Sequence, residues 1–210
     1  MNRNILVTYE PGAEEKGIYR EMLEGIANVY CLAAATDIER PELLNSADVI
    51  ISLSFSKKEI DPTEISRLKN VRFIQLIYAG ADNIPFSLVP EDILLASNAG
   101  AFAEPIAEHV MALTRALARG LNRAVTAQNE GAWRRSEIGN SAPLTKLRGK
   151  TLLVVGLGGI GTEVARLADA AGMRVTAIRN SRRSGPPFVA SVGLTGDLPT
   201  YVGEADVVVN

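Results

Sequence analysis

Residues 151–180, TLLVVGLGGIGTEVARLADAAGMRVTAIRN, restrict what this chain can fold into more than any other stretch. An apolar run, Leu152 to Val155, meets three glycines, Gly156, Gly158 and Gly161. Apolar residues then recur at helical spacing (Ile160, Val164, Leu167, Ala168, Ala171), and a second apolar run follows at Val175 to Ile178. Strand, glycine turn, helix and strand make a βαβ unit of about 30 residues. Each glycine has its own reason. Gly156 permits the tight turn off the strand, Gly158 lets backbone approach a pyrophosphate with no Cβ in the way, and Gly161 lets the helix pack against the strand. The helix start offers free N–H groups and a partial positive charge. The expectation is a dinucleotide whose phosphates lie on Gly156, Leu157, Gly158, Gly159, Ile160 and Gly161. A merely structural glycine turn is the alternative, and the strand–turn–helix context argues against it.

The end of the second strand discriminates between dinucleotides. An NAD site places an Asp or Glu there to accept from the ribose 2′-hydroxyl. Here the chain reads Arg179-Asn180-Ser181-Arg182-Arg183, with no acid nearby. Guanidinium groups and a hydroxyl suit a 2′-phosphate through charge-assisted bonds. The sequence therefore favours NADP(H) over NAD(H), with Arg179, Asn180, Ser181 and Arg182 as the contacts. An ordinary solvated basic loop is the alternative.

The remaining chain alternates short apolar runs with helical patterns: strands near 5–8, 28–34, 48–52, 71–77 and 93–96, and helices near 14–25, 36–46 and 61–70. Ile18, Met22, Leu23 and Ile26 form the apolar face of the first helix, and Asp61-Pro62 starts the third. Strands without two-residue alternation imply a parallel sheet covered on both faces. The fold class is α/β, with domains at 1–97 and 98–210. From Pro105, the residues Ile106, Val110, Leu113, Leu117, Leu121 and Val125 predict one long helix over 102–130, read as a homodimer interface or as a helix packed within its own monomer. Residues 186–204 show no clear period, and Ala205 to Asn210 reads as a last strand.

Composition narrows the function classes. The net charge of −2 comes with no basic run, so nucleic acid is not an expected partner. No apolar stretch reaches the ~18 residues that span a membrane, the N-terminus lacks a signal-peptide pattern, and the setting is read as cytoplasmic. The one cysteine, Cys31, is read as a buried, inert thiol. No metal site is expected.

The chain resembles the D-isomer-specific 2-hydroxyacid dehydrogenases. The resemblance rests on IQLIYAGADNIP (74–85), SNAGAFAEPIAEHVMALTRALAR (97–119), GAW (131–133), LRGKTLLVVGLGGIG (147–161), GMRV (172–175) and EADVVVN (204–210), in the family's order and spacing. It implies a flavodoxin-like substrate domain followed by the first half of a Rossmann dinucleotide-binding domain, with the site in the cleft between them. It also implies hydride transfer between nicotinamide and a 2-oxoacid or D-2-hydroxyacid. The substrate carboxylate would lie on the loop Tyr78-Ala79-Gly80-Ala81, for which a glycine turn acting as an anion nest is the chemical rationale and a plain surface turn the alternative. Ile106 would lie near the nicotinamide ribose, or else belong to the apolar stripe. Glu108 and His109 match a family pair but face different directions on a helix, so His109 is read as a packing or capping residue.

Two departures qualify the resemblance. Gly159 stands where the family commonly has a long polar side chain on the pyrophosphate. The family's catalytic Arg, Glu and His follow the third strand of the dinucleotide domain, and this sequence stops at Asn210. The resemblance thus places no catalytic residue within these 210 residues and implies an inactive, C-terminally truncated fragment. A non-catalytic dinucleotide-binding or co-repressor-like protein of the same fold is the alternative.

Overall fold

The computed structural model describes residues 2–53, 55–82, 84–141 and 144–210; Asn83, within the 74–85 segment, lies outside the described residues. The chain forms two compact units, Met1–Ala99 and Gly100–Asn210.

The first unit runs β1 (Arg3–Val7), α1 (Ala13–Leu23), β2 (Ala27–Cys31), α2 (Arg40–Ser46), β3 (Val49–Ser52), a 3-10 helix (Pro62–Arg67), β4 (Phe73–Leu76) and β5 (Leu94–Ala96). All strand pairs are parallel, in the order β2-β1-β3-β4-β5. The central runs carry little but β-branched and aliphatic side chains, so they can be buried on both faces. Leu6, Leu32, Leu44, Ile50, Ile74 and Leu76 fill the core, each contributing about 1.5–3 kcal/mol by leaving water. The expected third helix is a shorter 3-10 turn. Its cap is as expected: Asp61 accepts from Thr63 N at 2.9 Å, and Glu64 accepts from Asp61 N at 2.9 Å. The predicted apolar face of α1 is not a core face: no residue of α1 is buried, and Ile18, Met22 and Ile26 are exposed. Cys31 is half-buried rather than buried, and its Sγ donates to Tyr9 O at 3.1 Å. Burial pushes the thiol pKa up, which keeps it protonated and unreactive.

The second unit runs α3 (Ala103–Ala118), α4 (Leu121–Asn129), α5 (Arg135–Ser141), β6 (Thr151–Val155), α6 (Gly159–Ala170), β7 (Arg174–Ile178), β8 (Ser191–Gly193), a 3-10 turn (Thr195–Asp197), α7 (Leu198–Glu204) and β9 (Val207–Val209). Its parallel sheet has the order β8-β7-β6-β9. The core joins Leu152, Val154, Val175 and Ala177 of the sheet to Val164, Ala165 and Ala168 of α6 and to Ala107 and Met111 of α3.

Two expectations need correction here. The single long helix is two, because Gly120 takes φ +61° and breaks the ladder between α3 and α4. The apolar stripe is also not the buried face. Ala107, Met111 and Thr114 are buried and α3 packs on α6, whereas Leu113, Leu117, Leu121 and Val125 are exposed. Of the stripe, Val110 alone packs on this core.

Each unit has an electrostatic clamp of the same kind. In the first, Asp48 N donates to Asn4 O at 2.9 Å, while the Asp48 carboxylate accepts from Asn4 N at 2.8 Å and Arg3 Nη1 at 3.1 Å. In the second, Asp206 N donates to Thr151 O at 2.9 Å, and its carboxylate accepts from Thr151 N at 2.9 Å and Lys150 Nζ at 2.8 Å. Asp48 pins β3 to β1, and Asp206 pins β9 to β6, each at the N-terminal end of the strands. The Asn4 N–H bond and then Arg3 hold the Asp48 pKa below its ordinary value; Lys150 and then the Thr151 N–H do the same for Asp206. A depressed folded pKa contributes stability above the ordinary value of 3.8, and that contribution is lost as pH falls through the folded value. Asp48→Asn is expected to cost about 1 kcal/mol near neutral pH and to flatten the acid slope of stability. Urea unfolding near pH 7 and near pH 3 measures both; an unchanged slope would assign it to other carboxylates.

Candidate functional site

The glycine turn joins β6 to α6. Gly156 takes φ +106°, a conformation that disfavours any side chain, and its N–H donates to Ile178 O at 2.9 Å. At Gly161 a Cβ would fall 2.1 Å from Gly156 O and 2.9 Å from Val154 Cγ1, so only glycine fits beneath the turn. Gly158 is the N-cap of α6, with no side-chain cap, and a Cβ there would meet nothing within 4 Å. The first N–H groups of α6 have no intrahelical acceptor by geometry, and no side chain satisfies them. This helix start can hold an anion.

A cleft of about 550 Å3 adjoins the turn, lined by Gly156, Leu157, Gly158, Arg179, Asn180 and Ser181, together with Thr195 and Leu198. Arg179 N donates to Gly193 O at 3.1 Å, and its Nε is buried with no hydrogen-bond partner among the described residues. Thr195 Oγ1 donates to Asn180 Oδ1 at 2.7 Å, which fixes the Asn180 amide. Arg182 is exposed and does not line the cleft. Ile106 does not line it either; it is 39% exposed on α3, outside the buried face. Thr195 and Leu198 were not legible in the sequence, since they come from the 186–204 stretch that lacks a period. The Asp197-Leu198-Pro199 cap pattern was its only local signal, and Asp197 does accept from Leu194 N at 2.8 Å.

In the first unit, Tyr78 to Ala81 follow β4. Ile77 N donates to Ser52 O at 2.8 Å and Tyr78 N to Leu53 O at 3.0 Å, so the Tyr78 N–H is committed to the neighbouring strand end. The N–H groups of Ala79, Gly80 and Ala81 have no acceptor among the described residues. None of the four has a positive φ, so the loop is not a nest of alternating handedness. The backbone does not require glycine here, since a Cβ on Gly80 would make only an ordinary 3.4 Å contact with Asp82 Oδ2. His109 is exposed on α3, and the described residues contain no cluster of His, Cys, Asp or Glu that could hold a metal. No helix among the described residues is long and apolar enough to cross a membrane.

A parallel sheet, a glycine turn with a positive-φ first glycine, and an uncapped helix start define a Rossmann-like dinucleotide-binding α/β protein. Residues 111–210 match the family model for the D-isomer specific 2-hydroxyacid dehydrogenase NAD-binding domain. The chain is 35% identical over 175 residues to hydroxypyruvate reductase of Thermotoga maritima, covering 81% of this chain and 54% of that one. It is 33% identical over 181 residues to D-3-phosphoglycerate dehydrogenase of Archaeoglobus fulgidus, covering 82% and 32%. Among solved structures, a glycerate dehydrogenase related protein from Thermoplasma acidophilum aligns with TM-score 0.68 and 28% identity over 98% of this chain and 63% of that one. A family protein from Aeromonas salmonicida has the same fold, with TM-score 0.77 at 22% identity, over 99% and 63%. The chain belongs to the D-isomer-specific 2-hydroxyacid dehydrogenase family. It spans about half the length, or less, of these curated relatives.

Proposed function

We propose that this chain carries the carboxylate-binding loop and the cofactor-binding turn of an NADP(H)-dependent oxidoreductase that interconverts a 2-oxoacid and a D-2-hydroxyacid in the cytoplasm. The observation that carries the reading is the uncapped start of α6 behind Gly156, with Arg179 among the residues that line the adjoining cleft. The residues present fit a phosphorylated dinucleotide. The N–H groups at 158–161 would take the pyrophosphate, and Arg179, with Ser181 beside it, the 2′-phosphate. When bound, the nicotinamide supplies or takes the hydride. The free N–H groups of Ala79, Gly80 and Ala81 would orient the substrate carboxylate, and the relatives' names support a small 2-hydroxyacid or 2-oxoacid. We give exposed His109 no acid/base role. Titration calorimetry with NADPH tests the cofactor half; absence of binding would overturn it.

We further propose a homodimer through α3 and α4. Leu113, Leu117 (71% exposed), Leu121 and Val125 are exposed large apolar side chains on α3 and α4, and Trp133, after α4, is 91% exposed. Such a patch on a lone subunit is costly in water. Sedimentation is expected to give a dimer, and Leu117→Asp a monomer with unchanged circular dichroism; a monomeric parent would remove the proposal.

A further inference from the structure

We infer that Glu59 is a positioning residue for the 78–81 loop, acting through a polar cluster buried beneath the carboxyl ends of β1 and β3. The inference rests on the reading of that loop as the carboxylate site.

Glu59 is among the few buried charged or polar residues of the chain, only 8% exposed. Its Oε2 accepts from Thr8 Oγ1 at 3.0 Å and from the Ser52 hydroxyl. Thr8 closes β1, and its N–H donates to Ile51 O at 2.9 Å, so the carboxylate ties together the adjacent ends of β1 and β3. These two strands are neighbours where the order of the sheet reverses, the place where parallel α/β sheets gather ligands.

The cluster reaches the loop through two further bonds. Ser52 Oγ accepts from Phe55 N at 2.8 Å. Phe55 takes φ +54°, the one positive φ at a non-glycine among the described residues, and its ring is 1% exposed. A bulky residue in the left-handed region is strained, so it persists only where neighbours over-determine it. Here the Ser52 hydroxyl, itself oriented by Glu59, supplies the acceptor, and the buried ring supplies the anchor. Ser52 also reaches the loop directly: its carbonyl accepts from Ile77 N at 2.8 Å, and the next carbonyl, Leu53 O, accepts from Tyr78 N at 3.0 Å, one residue before the free N–H groups of 79–81. A second anchor comes from below: Arg40 Nη2 donates to Glu59 O at 2.7 Å and is held in turn by Glu64. Glu59 thus fixes where the row of N–H donors begins, without belonging to it. A buried carboxyl with two hydroxyl donors is also more than packing needs, because an apolar side chain would fill that space without a desolvation penalty.

The test is two-dimensional NMR of the full chain titrated with glyoxylate and pyruvate, with amide hydrogen exchange in parallel. In the parent, the amides of Ala79, Gly80 and Ala81 are expected to shift on titration, and the Tyr78 amide to be protected. Glu59→Ala is expected to weaken binding about tenfold or more and to expose the Tyr78 amide while Ile74 and Gln75 stay protected. Glu59→Gln, which keeps an acceptor for the hydroxyls, is expected to recover most of both. If Glu59→Ala does not fold, Ser52→Ala, which removes the acceptor of Phe55 N, is read in its place. Parent-like affinity and Tyr78 protection in whichever of the two folds would overturn the inference and leave the carboxylate loop standing. A parent whose 79–81 amides do not respond to either acid would overturn both.

Discussion

Gly161→Ala is expected to unfold the second unit's core and leave the first unit intact. Its Cβ would sit 2.1 Å from Gly156 O and 2.9 Å from Val154 Cγ1, and neither atom can give way. The first is backbone of a turn locked by its own bond to Ile178 O, and the second belongs to a buried central strand. Relief requires α6 to lift from β6, which separates Val164, Ala165 and Ala168 from the sheet. Overpacking of this kind costs about 3 kcal/mol or more. Amide exchange resolved by unit is the measurement, since two units need not unfold as one transition. Gly158→Ala is the control. Its Cβ meets nothing, so it should fold like the parent and lose only phosphate affinity. A Gly161→Ala chain with parent-like protection of β6 and α6 would show that the turn tolerates what the geometry forbids.

Arg179→Asp is expected to reverse the cofactor preference. In the parent, NADPH should bind more tightly than NADH, because a 2′-phosphate gives the Arg179 guanidinium the acceptor it lacks in the protein. Loss of two charge-assisted bonds, with a like charge in their place, corresponds to about 100-fold weaker NADPH binding. NADH should hold or improve, since a carboxylate at this strand end can accept from the ribose 2′-hydroxyl. Calorimetric titration of both cofactors into both proteins decides it. Equal affinities in the parent would sink the 2′-phosphate reading while leaving the dinucleotide turn in place.

How much was legible beforehand differs between the residues involved. Gly156, Gly158 and Gly161 declare themselves because each job is local: a turn angle, a bare helix start, a contact five residues away. The strands 73–76, 151–155 and 174–178 were legible as largely apolar runs, and Asp61 as a cap because its partners are two and three residues on. The faces of α1 and α3 were misread because periodicity reports which side of a helix is apolar, not which side meets a neighbour. On α3 the face that meets α6 carries Ala107 and Met111 and leaves Leu113 and Leu117 outside. The break at Gly120 rests on its φ of +61°, which a glycine within an apolar stripe does not announce. Thr195 reaches Asn180 across 15 positions from a stretch with no pattern.

The Tyr78 loop shows the same division. Its sequence marks a glycine turn after a buried strand. Only the register of β3 against β4 determines that the first N–H is spent on Leu53 and the next three remain free. By itself the sequence determined two α/β units, a dinucleotide turn and the residue types at the strand ends, because these follow from local sterics and the burial of apolar runs. Tertiary structure alone decided which apolar faces stay exposed, which donors keep a free hydrogen and which carboxylate lies under the loop, because each depends on atoms brought together from distant parts of the chain.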